Sequence, residues 1–354
     1  MKQERFEDLI SKFSKAKVAV LGDFFLDLYI QLDRSLSEFS LETHKEAFQA
    51  VDIRGQPGTA GVVINNLSAL GAQTAAIASI GSDGNGYTLR KELEVQNTNI
   101  DFLIEYEDRF TPTYTKPMMQ ELDGHNIELN RMDIINRSPN SHSLNLALAN
   151  NVRNAIEVYD GILVAEQIKM DGYGTMSTHL RDVSRKLAQN YPQKIIIVDT
   201  RHFAAAYQGV SLKMNFSEAA EAVHALDRRL PSIDQEEKVS ASELYAQAFW
   251  NAHQKPVYIT LGAEGISGMS NGNYFHHPGY DIDGPIDIVG AGDSVLAGIG
   301  LAMCVGATPQ EAAYIGNLVG SITVEQIGTT GVATQASLRQ RFQEYQTQTK
   351  NRIK

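Results

Sequence analysis

Short runs of β-branched and aliphatic residues recur along the chain, each closed by Gly, Asp or Pro. Val18–Leu21 ends at Gly22 and Asp23, and Thr74–Ile80, Gly161–Ala165, Ile195–Val198 and Val257–Thr260 follow the same pattern. Continuous apolar runs of this length read as strands buried on both faces that meet loops at their carboxyl ends. Between them, Leu144–Val158 and Thr178–Asn190 carry apolar positions at helical spacing. Strands alternating with helices predict an α/β fold, a doubly wound and mainly parallel sheet with helices on both faces. Before the first strand, Phe6, Leu9, Ile10 and Phe13 predict a short helix packed on the body.

Two regions break the rhythm. Leu28–Asp52 and Thr111–Asp133 replace helices with extended segments containing Tyr, Thr and Met. They predict a small accessory sheet, inserted at about residues 28–54 and 111–133 of a single domain spanning 1–354. From spacing alone it reads equally as a lid over a site or as a pair of surface hairpins. Asn136–Ser143 reads as a loop and Asp227–Ser242 as a charged, solvated connection.

Composition narrows the function. The 354 residues include 31 Lys and Arg against 42 Asp and Glu, a net charge of -11. Such a balance gives no field to gather nucleic acid or anionic lipid, although a local basic cleft for one anionic ligand is compatible with it. The single Cys304 cannot form an internal disulfide. No stretch approaches the ~20 apolar residues of a membrane span. The opening MKQERFEDLISKFSKAK is charged where a signal peptide would be apolar, so a cytoplasmic protein is expected. The nine histidines show no metal-ligand spacing, and His276-His277 before Pro278 reads as a surface turn.

The strongest chemical signal is Asp287-Ile-Val-Gly-Ala-Gly-Asp293-Ser, followed by the apolar, Ala/Gly-rich segment Val295–Val305. Glycines at a helix start let backbone N–H groups crowd together where the dipole also favours an anion. Asp293 then falls in the first turn, where a carboxylate can take a proton from a hydroxyl attacking a bound phosphoryl group. A lone Gly-x-Gly-Asp is read as easily as a tight strand-to-helix turn with an acid complementing the dipole. No Lys-Ser or Lys-Thr follows the glycines, and no Gly-x-Gly-x-x-Gly follows the first strand, so neither a P-loop nor an oxidoreductase's dinucleotide fingerprint is present.

Context decides between these readings. DIVGAGDS resembles the C-terminal signature of the ribokinase family of carbohydrate kinases, also called the phosphofructokinase B family, with Ile288 in place of the usual Thr. The resemblance runs in order over about residues 17 to 340. It implies a ribokinase-like fold with a small β lid and transfer of the γ-phosphoryl of ATP to a sugar or nucleoside hydroxyl. Asp293 is the implied base, and Gly290, Ala291 and Gly292 the implied anion hole. VAVLGDFFLD is similar to the family's first strand and implies that Asp27 binds substrate hydroxyls. Gln56–Gly71 resembles the glycine turn that opens a sugar-binding helix. Gly58 keeps the first glycine, Thr59 replaces the second, and Val62 stands where Asn is usual. An apolar group cannot make that Asn's hydrogen bond, which leaves the sugar unnamed.

Asn65 and Asn66 read as capping or packing residues sooner than as substitutes. Gly81–Gly86 reads as architecture. Glu166, at a strand's carboxyl rim, reads equally as a substrate contact or an exposed loop acid. Lys213-Met-Asn215-Phe-Ser-Glu218 resembles the family's Asn-x-x-Glu motif, which implies that Asn215 lies at the nucleotide and that Glu218 tunes Mg²⁺ through water; Asn-x-x-Glu is also a helix-capping pattern. Thr260, Gly262 and Gly265 resemble the segment that approaches the nucleotide, and Asn317 lies on a helix whose counterpart borders adenine. A K⁺ site near Asp287 and Gly328–Gly331 is optional. The start, the Pro-Gly turn and the extended lid look most like the kinase half of bifunctional ADP-heptose synthases; no nucleotidyltransferase half follows residue 354 in this sequence. Lid-to-lid homodimerisation is expected. The alternatives are a catalytically silent nucleotide or sugar sensor and a nucleoside kinase.

Overall fold

The computed structural model describes residues 1–226 and 237–352. Fourteen strands run in chain order as β1 (Lys17–Gly22), β2 (Phe24–Phe39), β3 (Glu46–Thr59), β4 (Gln73–Gly81), β5 (Leu103–Tyr106), β6 (Thr113–Gln120), β7 (Asn126–Glu128), β8 (Met132–Ile134), β9 (Gly161–Glu166), β10 (Ile195–Thr200), β11 (Ser211–Asn215), β12 (Val257–Thr260), β13 (Ile266–Ser270) and β14 (Asn273–His277). The helices are α1 (Gln3–Ile10), α2 (Ala60–Ala69), α3 (Gly84–Val95), α4 (His142–Val158), α5 (Thr178–Asn190), α6 (Phe216–Leu226), α7 (Lys238–His253), α8 (Ala291–Cys304), α9 (Pro309–Thr323) and α10 (Gln335–Arg352).

Nine strands form the main sheet in the order β14-β13-β12-β11-β10-β9-β1-β4-β5. The seven from β12 to β5 pair in parallel, and β13 and β14 close one edge antiparallel. Their apolar runs are buried because each side of the sheet is covered. One core joins α1, α2, α3, α8, α9 and α10 through residues such as Phe6, Ile64, Leu296 and Phe342. The other joins α4, α5, α6 and α7 through Leu148, Leu180, Val223 and Phe249. Ser141 and Ser177 each accept from a backbone N–H three residues on, which fixes the starts of α4 and α5.

The extended segments do form a second sheet, β3-β2-β6-β7 with β8 also on β6. Strand β2 pairs antiparallel with β3 and parallel with β6. This sheet begins earlier and ends later than its predicted first segment, because β2 and β3 continue through Asp27 and Gly58 to the body. At its root Asp83 accepts from the N–H of Gly86 at 2.7 Å, capping α3, and from the N–H of Thr111 at 2.9 Å, just before β6.

The predicted connection Asp227–Ser242 lies partly outside the described residues, at 227–236, and its remainder opens α7. His276 and His277 are strand residues, not a turn: Asn271 and Gly272, at φ 50° and 73°, make the hairpin turn that pairs β13 with β14. Among the described residues, no helix is long and apolar enough to cross a membrane.

Candidate active site

Gly290 caps α8 with φ 76° and ψ 1°, a left-handed conformation that suits glycine. A Cβ there would lie 3.1 Å from Val62 Cγ1 and 3.3 Å from Thr330 Cγ2, so the turn is packed between α2 and the loop before α10. Val62 is buried, 2% exposed, and supports this turn. The position where the resemblance expects a polar residue thus serves packing here. The three predicted hole residues divide: the Ala291 N–H donates to Ile288 O at 3.1 Å and closes the turn. The N–H groups of Gly290, Gly292 and Asp293 have no acceptor among the described residues. The amides free to meet an anion are thus shifted from the expected set by one member, with Asp293 in place of Ala291.

Asp293 lies in the first turn of α8, partly exposed. Burial of its carboxyl and the nearby Asp199 and Glu218 raise its pKa to about 7, against the opposing Lys213 and Arg201. Lys213 is a residue that sequence reasoning passed over. Only 3% exposed, it extends from β11 to place Nζ 2.6 Å from Asp199 Oδ2, an acid on the neighbouring strand β10. Burial works to lower the Lys213 ammonium, but Asp199, Glu218 and Asp293 outweigh it and hold it above its ordinary range. A Cβ on Gly292 would stand 2.9 Å from that Nζ, so the glycine leaves room for the cation beneath the helix mouth. The signal was in plain view as the Lys of Lys213-Met-Asn215.

Asn215 and Glu218 form the reciprocal cap that the spacing allowed. The Asn215 N–H donates to Glu218 Oε2 at 2.7 Å, and the Glu218 N–H donates to Asn215 Oδ1 at 2.9 Å. Burial and Asp199 raise the Glu218 pKa while Lys213 lowers it. Among the described residues no three His, Cys, Asp or Glu side chains converge on a point where they could hold a metal ion. A magnesium ion that keeps most of its waters fits such a donor set, since Glu218 retains an oxygen outside the cap.

Asp27 sits in β2 at the root of the second sheet, 5% exposed. A Cβ on Gly58 would come 3.1 Å from the Asp27 carboxyl carbon, so Gly58 gives that carboxylate its space. Thr59 follows at φ 52° and ψ -110°, a region that costs a β-branched residue about 1–3 kcal/mol. The replaced glycine is therefore paid for in backbone strain, and α2 still begins at the next residue.

Glu166 takes a place that neither alternative foresaw. It is 4% exposed, its Oε1 accepting from Arg181 Nη2 at 2.8 Å and its Oε2 from Thr200 Oγ1 at 2.9 Å and Tyr207 OH at 3.0 Å. Burial raises its pKa against the pull of Arg181. Both oxygens are taken by the protein itself, and Glu166 is a buried link between β9, β10 and α5. Asp23, also overlooked, accepts from the N–H groups of Gln167, Ile168 and Thr175 at 2.7 to 2.9 Å and so fixes the loop after β9. Asn66 is packing, as expected: it donates to Val62 O and Gly331 O and accepts from the Ala333 N–H.

Of the predicted nucleotide residues, Asn215 ends β11, Thr260 ends β12, Gly262 and Gly265 follow β12, and Asn317 lies on α9. Thr260 ends β12 and donates to Met214 O at 3.4 Å, Gly262 is exposed, and Gly265 at φ 92° packs against the Pro278–Gly279 backbone. Asn317 donates to Pro278 O at 2.8 Å, so its amide orders the same loop. Asp287 accepts from the N–H groups of Val289 at 3.0 Å and Gly328 at 3.1 Å, tying the two loops beside the helix mouth. A hollow of about 410 Å³ opens between these loops and the second sheet, lined by Tyr29, Arg54, Lys116, Asp287, Val289 and Thr329. Another, of about 470 Å³, lies between α4 and α5 and contains none of the site residues.

The pfkB family carbohydrate kinase profile matches residues 15–336. Among curated proteins, the chain is 25% identical over 336 residues to the bifunctional protein HldE of Desulfatibacillum aliphaticivorans, covering 95% of this chain and 65% of that protein. It is 26% identical over 333 residues to HldE of Syntrophotalea carbinolica, covering 94% and 64%. The chain thus spans just under two thirds of the relatives it matches. Among solved structures, the fold resembles ribokinase from Cryptococcus neoformans in complex with ADP, at a TM-score of 0.64 and 18% identity over 92% of this chain and 99% of that one. It also resembles phosphofructokinase-2 from Escherichia coli in complex with fructose-6-phosphate, at 0.69 and 16% over 94% and 99%. With the profile covering nearly the whole chain and a ribokinase-like sheet placing Asp293 at a glycine-built helix mouth, this protein belongs to the pfkB family of carbohydrate kinases.

Proposed function

We propose that the protein transfers the γ-phosphoryl group of ATP to a hydroxyl of a sugar or sugar-like acceptor, with Asp293 as general base. The observation that carries this reading is the placement of Asp293 beside the unpaired amides of Gly290 and Gly292 at the start of α8. Those amides and the helix dipole stabilise charge on a phosphoryl group, and the carboxylate takes the proton of the attacking hydroxyl. Asp27 and the residues of the lid hold the acceptor, and closure of the lid excludes water. Mg·ATP, when bound, supplies the phosphoryl group. Glu218 orders the waters of the magnesium ion, and Lys213 lies where it neutralises phosphate charge. Thr260, Gly262, Gly265 and Asn317 shape the nucleotide's place through the loops they order. K⁺ near Asp287 is an optional addition.

The test is ADP release with Mg·ATP over a panel of D-ribose, D-fructose, D-mannose, their phosphates, heptose phosphates and nucleosides. Turnover of a sugar supports the proposal, and turnover of nucleosides alone would replace it with a nucleoside kinase. Binding of Mg·ATP by thermal shift, with no turnover across the panel, would favour a silent sensor. We further propose a homodimer through the lid, whose Phe39, Val51 and Ile53 are 75%, 52% and 64% exposed. Light scattering should give twice the chain mass, reduced to one by Ile53→Asp; a monomeric wild type overturns the dimer.

A further inference from the structure

Residues Asp27, Tyr29 and Gln31 alternate along one face of β2, in register with Gln56, Arg54 and Asp52 on β3 and with Tyr114, Lys116 and Met118 on β6. Tyr29, Gln31, Arg54 and Lys116 line the hollow under the lid, so this is the face turned toward the helix mouth. At its root, Lys116 Nζ stands 3.3 Å from Asp27 Oδ2, with side-chain exposures of 12% and 8%. Lys116 also donates to Tyr29 OH at 3.2 Å and lies 4.8 Å from the centre of that ring. The ammonium is held from two sides and has little freedom to turn away.

Asp27 differs from its neighbour Asp23 in what compensates its burial. Asp23 has three backbone N–H donors. Among the described residues, Lys116 is the one group within ion-pair distance of Asp27. Burial pushes the Asp27 carboxyl up, and Lys116, with the more distant Arg131, pulls it down. The other charged groups around this face are Arg54 and Asp52 on β3, Glu128 on β7, Asp133 on β8 paired with Arg131, Arg201 near Tyr114, and Asp287 across the hollow.

We propose that Lys116 is the positioning residue for Asp27, holding the carboxylate ionised and in place at the lid root so that it accepts an acceptor hydroxyl. This rests on the kinase reading for its use and on the ion pair alone for its existence. An ammonium has three N–H donors. One is directed to Tyr29 while the charge faces the Asp27 carboxylate, which leaves N–H groups for the oxygen of the hydroxyl that Asp27 binds. The pair thereby presents a donor and an acceptor to one hydroxyl, in a site where Val62 can offer neither.

The test is carboxyl ¹³C NMR of aspartate-labelled protein, in which the Asp27 signal is the one lost in Asp27→Asn. Its titration is compared in the wild type, Lys116→Met and Lys116→Arg, each checked for folding by near-ultraviolet circular dichroism. Lys116→Met should raise the Asp27 midpoint by about one unit or more, a tenfold gain in proton affinity, and Lys116→Arg should leave it near the wild-type value. A midpoint that is the same in the wild type and Lys116→Met overturns the proposal. For the panel sugar with the highest turnover, Lys116→Met should raise KM and move the acid limb of kcat/KM upward, with partial rescue by Arg; an unchanged KM and limb would also overturn it. If no panel compound is turned over, the kinase reading fails while the titration still decides the ion pair.

Discussion

Replacing Asp293 by Asn should make the protein more stable and nearly inactive. The carboxyl is raised from 3.8 to about 7 by burial and by Asp199 and Glu218. At about 1.4 kcal/mol per unit, the shift of about three units sets a ceiling of ~4 kcal/mol for the cost of ionising it in the folded chain. Asp293 is partly exposed, and screening by water reduces this to about 1–2 kcal/mol. The sign follows from the raised value. Below the unfolded pKa the carboxyl is protonated in both states, and its full contribution to stability is present. As pH rises toward 7 the unfolded chain ionises first, and that contribution is lost.

Asn mimics the protonated form at every pH. In differential scanning calorimetry at pH 8.5, Asp293→Asn should therefore melt about 1–3 °C above the wild type, given ~2 cal/mol/K per residue of unfolding entropy. The gap should close as the pH is lowered toward 4. Turnover should fall by about two orders of magnitude or more. In the wild type, turnover should decline as the pH falls through about 7, because the base must be ionised. A variant less stable than the wild type at pH 8.5, or a gap that ignores pH, would refute the electrostatic account of this site. Undiminished turnover would refute the assignment of the base.

Lys213→Met should move the acid limb of kcat/KM above 7, since burial and the neighbouring acids then act on Asp293 with only Arg201 opposing them; a fixed limb would show that Lys213 does not govern the base. Thr59→Gly should raise stability by about 1 kcal/mol in urea denaturation, as the relief of φ 52° exceeds the entropy cost of glycine, and a loss of stability would mean that the strain is absent. Arg181→Met should cost about 3–5 kcal/mol by leaving Glu166 buried and unpaired. A cost below 1 kcal/mol in the same measurement would show that Glu166 finds other compensation.

The main sheet was legible because parallel strands covered on both faces must be apolar throughout. Val257–Thr260 coincides with β12, and Thr178–Asn190 with α5. The Gly-rich turn announced the mouth of α8 for the same physical reason that it works there, the need for φ 76° at Gly290. What stayed hidden depends on partners distant in sequence. The three N–H groups on Asp23 come from residues 144 to 152 positions away, and Lys213 meets its acid across a strand pair. Glu166 looked like a rim acid because sequence spacing carries no information on where Arg181 points. The β13–β14 hairpin, by contrast, had a readable signal in Asn271-Gly272 between two short runs.

The carboxylate of Asp83 joins two separate segments with one side chain, since one oxygen holds the start of α3 and the other the chain entering β6. Anyone grafting a different second sheet onto this body would have to carry over the donor to Asp83, the Thr111 N–H, with its backbone unaltered. A proline at 111 would remove that amide and unmoor the graft while leaving every side chain of the reaction in place.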